Sequence, residues 1–152
     1  MKKIFVLFIL LSTLSFAKMV DAKVIAVLGG DSFQVLIGKE KVIVNLQGIQ
    51  PPEDKWSPNS KQYLNQMIMN KNVKLDVKSK NKGKMTAVVF VNNQNINMNM
   101  IQSGNGKYIG KEKKYVEMQN KAKKNKKGFW MDENAKPLEE KEGPKDGPGK
   151  KH

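Results

Sequence analysis

Hydrophobic and polar residues alternate along three segments in the first third of the chain. An alternation with a period of two is typical of strands that bury one face of a sheet. The second and third segments are separated by a short connector that contains Gly38, as expected for a β-hairpin. The three predicted strands are Lys23 to Leu28, Ser32 to Ile37 and Lys41 to Gln47.

Two carboxylates flank the predicted hairpin. Asp31 precedes its first strand, and Glu53 follows its second. Because a hairpin brings its two ends together, we expect Asp31 and Glu53 to lie close to each other at one end of a small sheet. Two convergent carboxylates offer the hard oxygen ligands that suit a cation.

The rest of the chain adds two strands and about three helices. Val73 to Val77 and Met85 to Val91 alternate like strands and are separated by a polar connector over 79–84. Apolar residues at helical spacing predict one helix with Ser57 as N-cap and Pro58 at its first position, one capped by Asn95 and ended by Gly104, and one from Lys111 to Lys127. These elements together predict an α+β domain.

The two ends of the chain differ in composition from this domain. Residues 1–17 have a basic start, a short apolar run and a small-residue end, which are typical of a secretory signal peptide. We expect cleavage after Ala17 or alternatively after Ala22, and an uncleaved N-terminal anchor is the other interpretation. Residues 131–152 are rich in proline, glycine and charge, and predict a disordered tail. The domain therefore spans 18–130, and the mature protein is expected to be exported and free of a membrane span.

The net charge narrows the choice of partners. It is +14 for the whole chain, and removal of Lys2 and Lys3 with the leader takes it to +12. A domain this basic is attracted to polyanions by counterion release, so nucleic acid is a natural partner. Acidic glycans, anionic lipids and cell-wall phosphopolymers are attracted by the same field. The chain has no cysteine, so the exported domain folds without disulfides.

Several short motifs occur in a fixed order along the chain. They are Val-x-Gly-Gly-Asp-Ser at 27–32, Val-x-Leu-x-Gly-Ile-x-x-Pro-Glu at 44–53, Lys82-Gly83-Lys84, Asn97 to Gly104, and Gly128-Phe129-Trp130. Their order and spacing resemble the staphylococcal nuclease (thermonuclease-like) family over about residues 23–130. The resemblance implies a five-stranded OB-fold β-barrel with about three helices, and a calcium-dependent phosphodiesterase activity on DNA or RNA.

The resemblance also assigns catalytic positions, and three of the five are substituted. Asp31 falls on a metal-binding aspartate, and Glu53 falls on the glutamate that activates water. The second metal aspartate falls on Gln50, the first phosphate-clamping arginine on Asn45, and the second on Lys84. The chain has 28 lysines and no arginine, so no arginine elsewhere replaces the clamp. Any calcium site formed by Asp31 and Gln50 is therefore expected to be weak.

The resemblance further implies nucleic-acid contacts at Lys82, Lys84 and one or two tyrosines, Tyr108 and Tyr115. Tyr115 also has the spacing of a core residue. We expect an exported, monomeric protein that binds single-stranded DNA or RNA, with phosphodiester hydrolysis weak or lost. The alternatives are a working calcium-dependent endonuclease, and a basic protein that binds envelope polymers or other polyanions. Retention of the fold does not choose among them.

Overall fold

The computed structural model describes residues 19–132. The predicted signal peptide and most of the predicted tail lie outside the described residues. Within 19–132, no helix is both long and apolar enough to cross a membrane.

Five strands of the described region form a closed barrel. They are β1 (Met19–Val27), β2 (Ser32–Ile37), β3 (Glu40–Leu46), β5 (Asn72–Asn81) and β6 (Lys84–Val91). The short strands are β4 (Ile49–Gln50), β7 (Gln94–Asn95) and β8 (Lys107–Tyr108), and the helices are α1 (Ser57–Ile68), α2 (Ile96–Gln102) and α3 (Lys113–Lys124). The barrel strands follow the order β3-β2-β1-β5-β6, and a parallel pairing of β3 with β6 joins the two edges. The predicted five-stranded α+β barrel is confirmed.

The interior of the barrel is filled by every second residue of its strands. In β3, Val42, Val44 and Leu46 are buried, while the residues between them face outward. Helix α1 contributes Leu64 and Ile68, both fully buried, at the helical spacing that the sequence predicts. Close packing of these aliphatic side chains stabilises the barrel and leaves its outer face and its two ends to carry the polar chemistry.

Two strand boundaries differ from the sequence prediction. Strand β1 begins at Met19 rather than Lys23, because the four preceding residues also pair with β5, starting with Met19 opposite Asp76. The predicted polar connector over 79–84 is wrong, because β5 continues to Asn81, which pairs with Lys84. Only Lys82 and Gly83 form the turn, and both have positive φ angles, 42° and 75°.

Two helix ends also differ. Ser57 is the first residue of α1 and not its N-cap, because its backbone N–H already bonds to the carbonyl of Asp54 in a preceding 3-10 turn. Helix α3 is shorter than 111–127, because the backbone before Lys113 is extended and Lys126, just beyond the helix, has a φ of 49°. Asn95 caps α2 as predicted, with its side chain accepting a hydrogen bond from the Met98 amide at 3.0 Å.

Candidate active site

Asn45, the predicted counterpart of the first family arginine, lies on the outer face of the barrel. Asn45 is opposite Ser32 on β2 and opposite Thr86 on β6, and its neighbours in β3 point into the core. Lys84 is paired with Ile43, two residues earlier in β3, and also faces outward. The register therefore brings Asn45 and Lys84 together on one outer face, where β2, β3 and β6 meet.

Asp31 lies at the end of the β1–β2 connection, at the edge of that face. Its backbone carbonyl accepts a hydrogen bond from the Leu46 amide at 2.8 Å, which continues the β2–β3 ladder by one residue. The side chain is half-buried, and burial raises the pKa of its carboxyl above the ordinary value of 3.8. Hydrogen bonds from its own backbone amide and from the Ser32 hydroxyl oppose this shift in pKa.

Gly30 fixes the Asp31 loop against two other parts of the site. A Cβ atom at Gly30 would lie 2.9 Å from the Cβ of Ser60 and 3.0 Å from the Cβ of Pro51, so only glycine fits there. Ser60 is fully buried in α1, and its hydroxyl donates to the carbonyl of Asn105. The close approach of Gly30 to Pro51 places the Asp31 loop beside the segment that follows Gln50. Sequence reasoning missed Ser60, for which a small residue on the inward face of α1 was the available signal.

Gln50 and Glu53 are both exposed on the segment between β3 and α1. Gln50 belongs to β4 and pairs with Lys107 of β8. Glu53 has an extended backbone and directly precedes the 3-10 turn that leads into α1. That turn is anchored by Trp56, whose indole Nε1 donates to Asp132 at 3.3 Å. The loop that carries Glu53 is thus held between the β4–β8 pair and the end of the described chain.

Comparison with known proteins agrees with this arrangement. The family model described as staphylococcal nuclease homologue matches residues 40–132, which is more than half of the chain. The chain belongs to the staphylococcal nuclease family. A Haemophilus influenzae protein named as an uncharacterized endonuclease is 31% identical over 119 residues, which cover 74% of this chain and 67% of that protein. Membership of this family supports a nuclease-like function and implies nucleic acid as the substrate class.

The donor set at the site does not fit a tightly held calcium ion. Calcium takes six to eight oxygen ligands and is bound best where several are carboxylates. Asp31 supplies one carboxylate, whose burial disfavours the charged form, and Gln50 supplies only a neutral amide oxygen. Across residues 19–132, no group of three or more histidine, aspartate or glutamate side chains is placed to hold a metal.

The rings of Tyr108 and Tyr115 lie against each other. The ring centroids of Tyr108 and Tyr115 are 5.1 Å apart, and both side chains are half-buried. The Tyr108 hydroxyl accepts from the Glu112 amide at 3.1 Å, and its backbone N–H and carbonyl are both bound by the Gln119 side chain. These contacts give Tyr108 and Tyr115 a packing role. Their contact with nucleic acid stays a prediction.

The four residues predicted to bind nucleic acid divide between two pockets. Tyr108 and Tyr115 line one of about 190 Å³ between the barrel and α3. Lys82 and Lys84 line another of about 570 Å³ at the turn end of the barrel. Lys84 therefore shares an outer face with Asn45, Lys82 lies in the adjacent turn, and the two tyrosines line a different pocket.

We expect Asp31→Asn to raise the melting temperature at pH 7. Burial penalises the charged carboxylate and raises its pKa in the folded state. The folded state is therefore less stable above this raised pKa, and it regains stability as the pH falls and the carboxylate becomes protonated. The advantage of the neutral amide should therefore shrink as the pH falls towards 3.8, the ordinary value. Thermal melts of both proteins at pH 7 and in acid measure this difference. The control is Asp21→Asn at the exposed pair with Lys74, which should change the free energy of unfolding by less than about 0.5 kcal/mol.

Proposed function

We propose that this protein is an exported member of the staphylococcal nuclease family that binds single-stranded nucleic acid and hydrolyses it weakly or not at all. The observation that carries the proposal is the outer face of β3 and β6. Asn45 and Lys84, which the sequence motifs align with the two family arginines, both lie on that face. The Glu53 carboxylate is retained, so the group that would activate water remains without its electrostatic partners.

These substitutions are expected to lower the rate of hydrolysis more than the affinity for nucleic acid. A guanidinium holds two phosphate oxygens at once through a planar fork, whereas a lysine is a compact point charge and an asparagine is neutral. Removal of one group that stabilises transition-state charge costs about 10² to 10³ in rate. Lys84 still attracts a phosphate in the ground state, so affinity is affected less than catalysis.

The charge of the described region supports nucleic-acid binding. Residues 19–132 carry 20 lysines against nine aspartates and glutamates. Such a surface attracts a phosphate backbone without regard to sequence, and the affinity falls steeply with salt. Single strands suit a barrel of this type, because OB-fold proteins bind them along a positively charged groove.

Export is supported by residues 1–17, and the start of β1 bears on where the leader would be cleaved. Cleavage after Ala22 would remove four residues of β1, including the buried Ala22 itself, whereas cleavage after Ala17 leaves the strand whole. We therefore favour Ala17 as the last residue of the leader.

A working calcium-dependent endonuclease is the second candidate. Two observations favour it: Asp31 and Glu53 are retained, and the relative from Haemophilus influenzae is named as an endonuclease. High calcium outside the cytoplasm would raise the occupancy of a weak site, since occupancy depends on concentration as well as affinity.

The test uses the exported protein purified from cells that express the full chain. It is incubated with end-labelled single-stranded DNA and RNA, with millimolar calcium or with a chelator, beside the variant Glu53→Gln. We expect a salt-sensitive band shift with intact substrate, equal for both proteins and in both buffers. Calcium-dependent cleavage that disappears in Glu53→Gln would instead establish the endonuclease. Tighter binding to teichoic acid or heparin than to nucleic acid at equal salt would point to an envelope polymer.

A further inference from the structure

A pocket of about 570 Å³ lies at the turn end of the barrel, away from Asp31 and Glu53. Its apolar part is formed by the start of β1 and by the inner residues of β3 and β6. Its rim is formed by the Lys82-Gly83 turn and by the β2–β3 turn. The volume lies in the range of 300 to 1,000 Å³ that is usual for small-molecule sites. A ligand the size of a nucleotide unit therefore fits.

The rim of this pocket is mainly positive. Lys80, Lys82 and Lys84 line it on the β5–β6 side, opposite Asp21 and Glu40. Asp21 already forms an ion pair with Lys74 at 3.2 Å, outside the pocket, so its charge is partly neutralised. The positive charge that remains on the rim favours binding of an anion on the β5–β6 side.

The backbone of Lys82 gives a second reason to consider this rim functional. A two-residue turn with two positive φ angles favours asparagine or glycine at its first position. The other such turn of the described chain has Asn92 and Asn93, with φ angles of 47° and 63°. At the corresponding position the β5–β6 turn has Lys82, a residue that adopts this conformation at a cost. A long cationic side chain is thus retained where a short amide would suit the fold better.

The apolar part of the pocket suits a flat aromatic ring. Met19 and Met85 both line it, and Met19 remains 42% exposed. Thioether sulfur atoms make favourable contacts with aromatic rings. Val20 and Val42 add aliphatic side chains to the same apolar lining. An anion with an aromatic body matches both halves of the pocket.

The pocket is continuous with the candidate active site through one residue. Lys84 lines the pocket and also lies on the outer face beside Asn45. A strand whose phosphate contacts Lys84 therefore has its adjacent nucleotide at the mouth of the pocket.

We propose that this pocket holds one unpaired nucleobase, with the flanking phosphates on Lys82 and Lys84. The proposal rests on the nucleic-acid binding proposed above and adds a structural reason for single-strand preference. A base in a duplex would have to be unpaired and unstacked before it could enter, so a single strand is favoured.

The experiment compares two labelled probes with equal phosphate counts, octathymidylate and an eight-unit abasic strand, by fluorescence anisotropy at fixed salt. The exported protein should bind octathymidylate about tenfold more tightly, because only that probe can place a base in the pocket. Val20→Gln replaces an apolar wall with a neutral polar one and should reduce this ratio to near one. The matched control is Leu28→Gln, at an exposed residue just beyond β1 and outside the pocket, which should keep the tenfold ratio.

A third variant separates phosphate contacts from base contacts. Lys82→Asn should weaken both probes equally and lower the salt slope by about one, while the melting temperature stays equal or rises because asparagine suits the turn. Equal binding of both probes by the wild-type protein would overturn the base pocket and leave nucleic-acid binding intact. A tenfold ratio that survives Val20→Gln would place the base elsewhere and also overturn it. Binding of neither probe would contradict the proposed function itself.

Discussion

Replacement of Asn97 by alanine is expected to destabilise the folded protein by about 3 kcal/mol. Asn97 is 2% exposed, and its side chain joins three backbone groups of the barrel. Its Oδ1 accepts from the Val89 amide at 3.0 Å, and its Nδ2 donates to the carbonyls of Gln47 and Ala87 at 3.1 and 3.3 Å. Each buried polar group that loses its partner costs about 1 to 3 kcal/mol. A loss of this size is a large part of the stability of a small domain.

The comparison for Asn97→Ala is Asn99→Ala on the same helix. The Asn99 side chain is half-buried and makes only a long contact, 3.8 Å, from its amide nitrogen to the sulfur of Met67. Its replacement should cost less than about 1 kcal/mol. Urea denaturation of the three proteins gives the free energies of unfolding directly. Equal losses for the two variants would mean that helix α2 as a whole, and not the bonds of Asn97, holds the β3–β4 and β6 backbones together.

The barrel strands could be predicted because hydrophobic and polar residues alternate along each of them. One face of each strand is buried, so each leaves its own pattern, and the interior residues Val42, Val44 and Leu46 are identifiable from the sequence alone. The boundaries were less predictable for a physical reason. Residues 79–81 are exposed and polar, so nothing in their side chains shows that their backbone continues the pairing of β5 with β6.

The candidate site was also only partly predictable from the sequence. Asp31, Asn45 and Gln50 were assigned to the candidate site through motifs of consecutive residues, and their roles stay predictions. The contacts that position the site join residues far apart in the sequence, such as Gly30 with Ser60. A close approach of two backbones leaves only a glycine or a small side chain as its signal, and such residues are common for other reasons. Ser60 was therefore missed, although it fixes the loop that carries Asp31.

Restoration of the three substituted groups should convert this protein into a far faster nuclease. We expect the triple variant Asn45→Arg, Gln50→Asp and Lys84→Arg to cleave single-stranded DNA in calcium at least about 10²-fold faster than the wild type. The register supports this combination, because positions 45 and 84 share the outer face of β3 and β6, and two guanidinium groups there can clamp one phosphate. Aspartate at position 50 adds a carboxylate next to Pro51, which lies against the Asp31 loop at Gly30, and a further carboxylate ligand is expected to strengthen calcium binding.

Two further variants make this prediction specific to the site. Glu53→Gln added to the triple variant should return cleavage to the wild-type level, because the restored clamp still needs a carboxylate to activate water. Lys114→Arg with Lys124→Arg introduces the same number of guanidinium groups on exposed positions of α3, outside the candidate site and the pocket, and should leave the rate unchanged. A triple variant no faster than the wild type would show that the missing arginines are not what limits catalysis. A wild-type rate already as high as that of the triple variant would show that Lys84 and Gln50 suffice for the chemistry, and the endonuclease interpretation would replace the one proposed here.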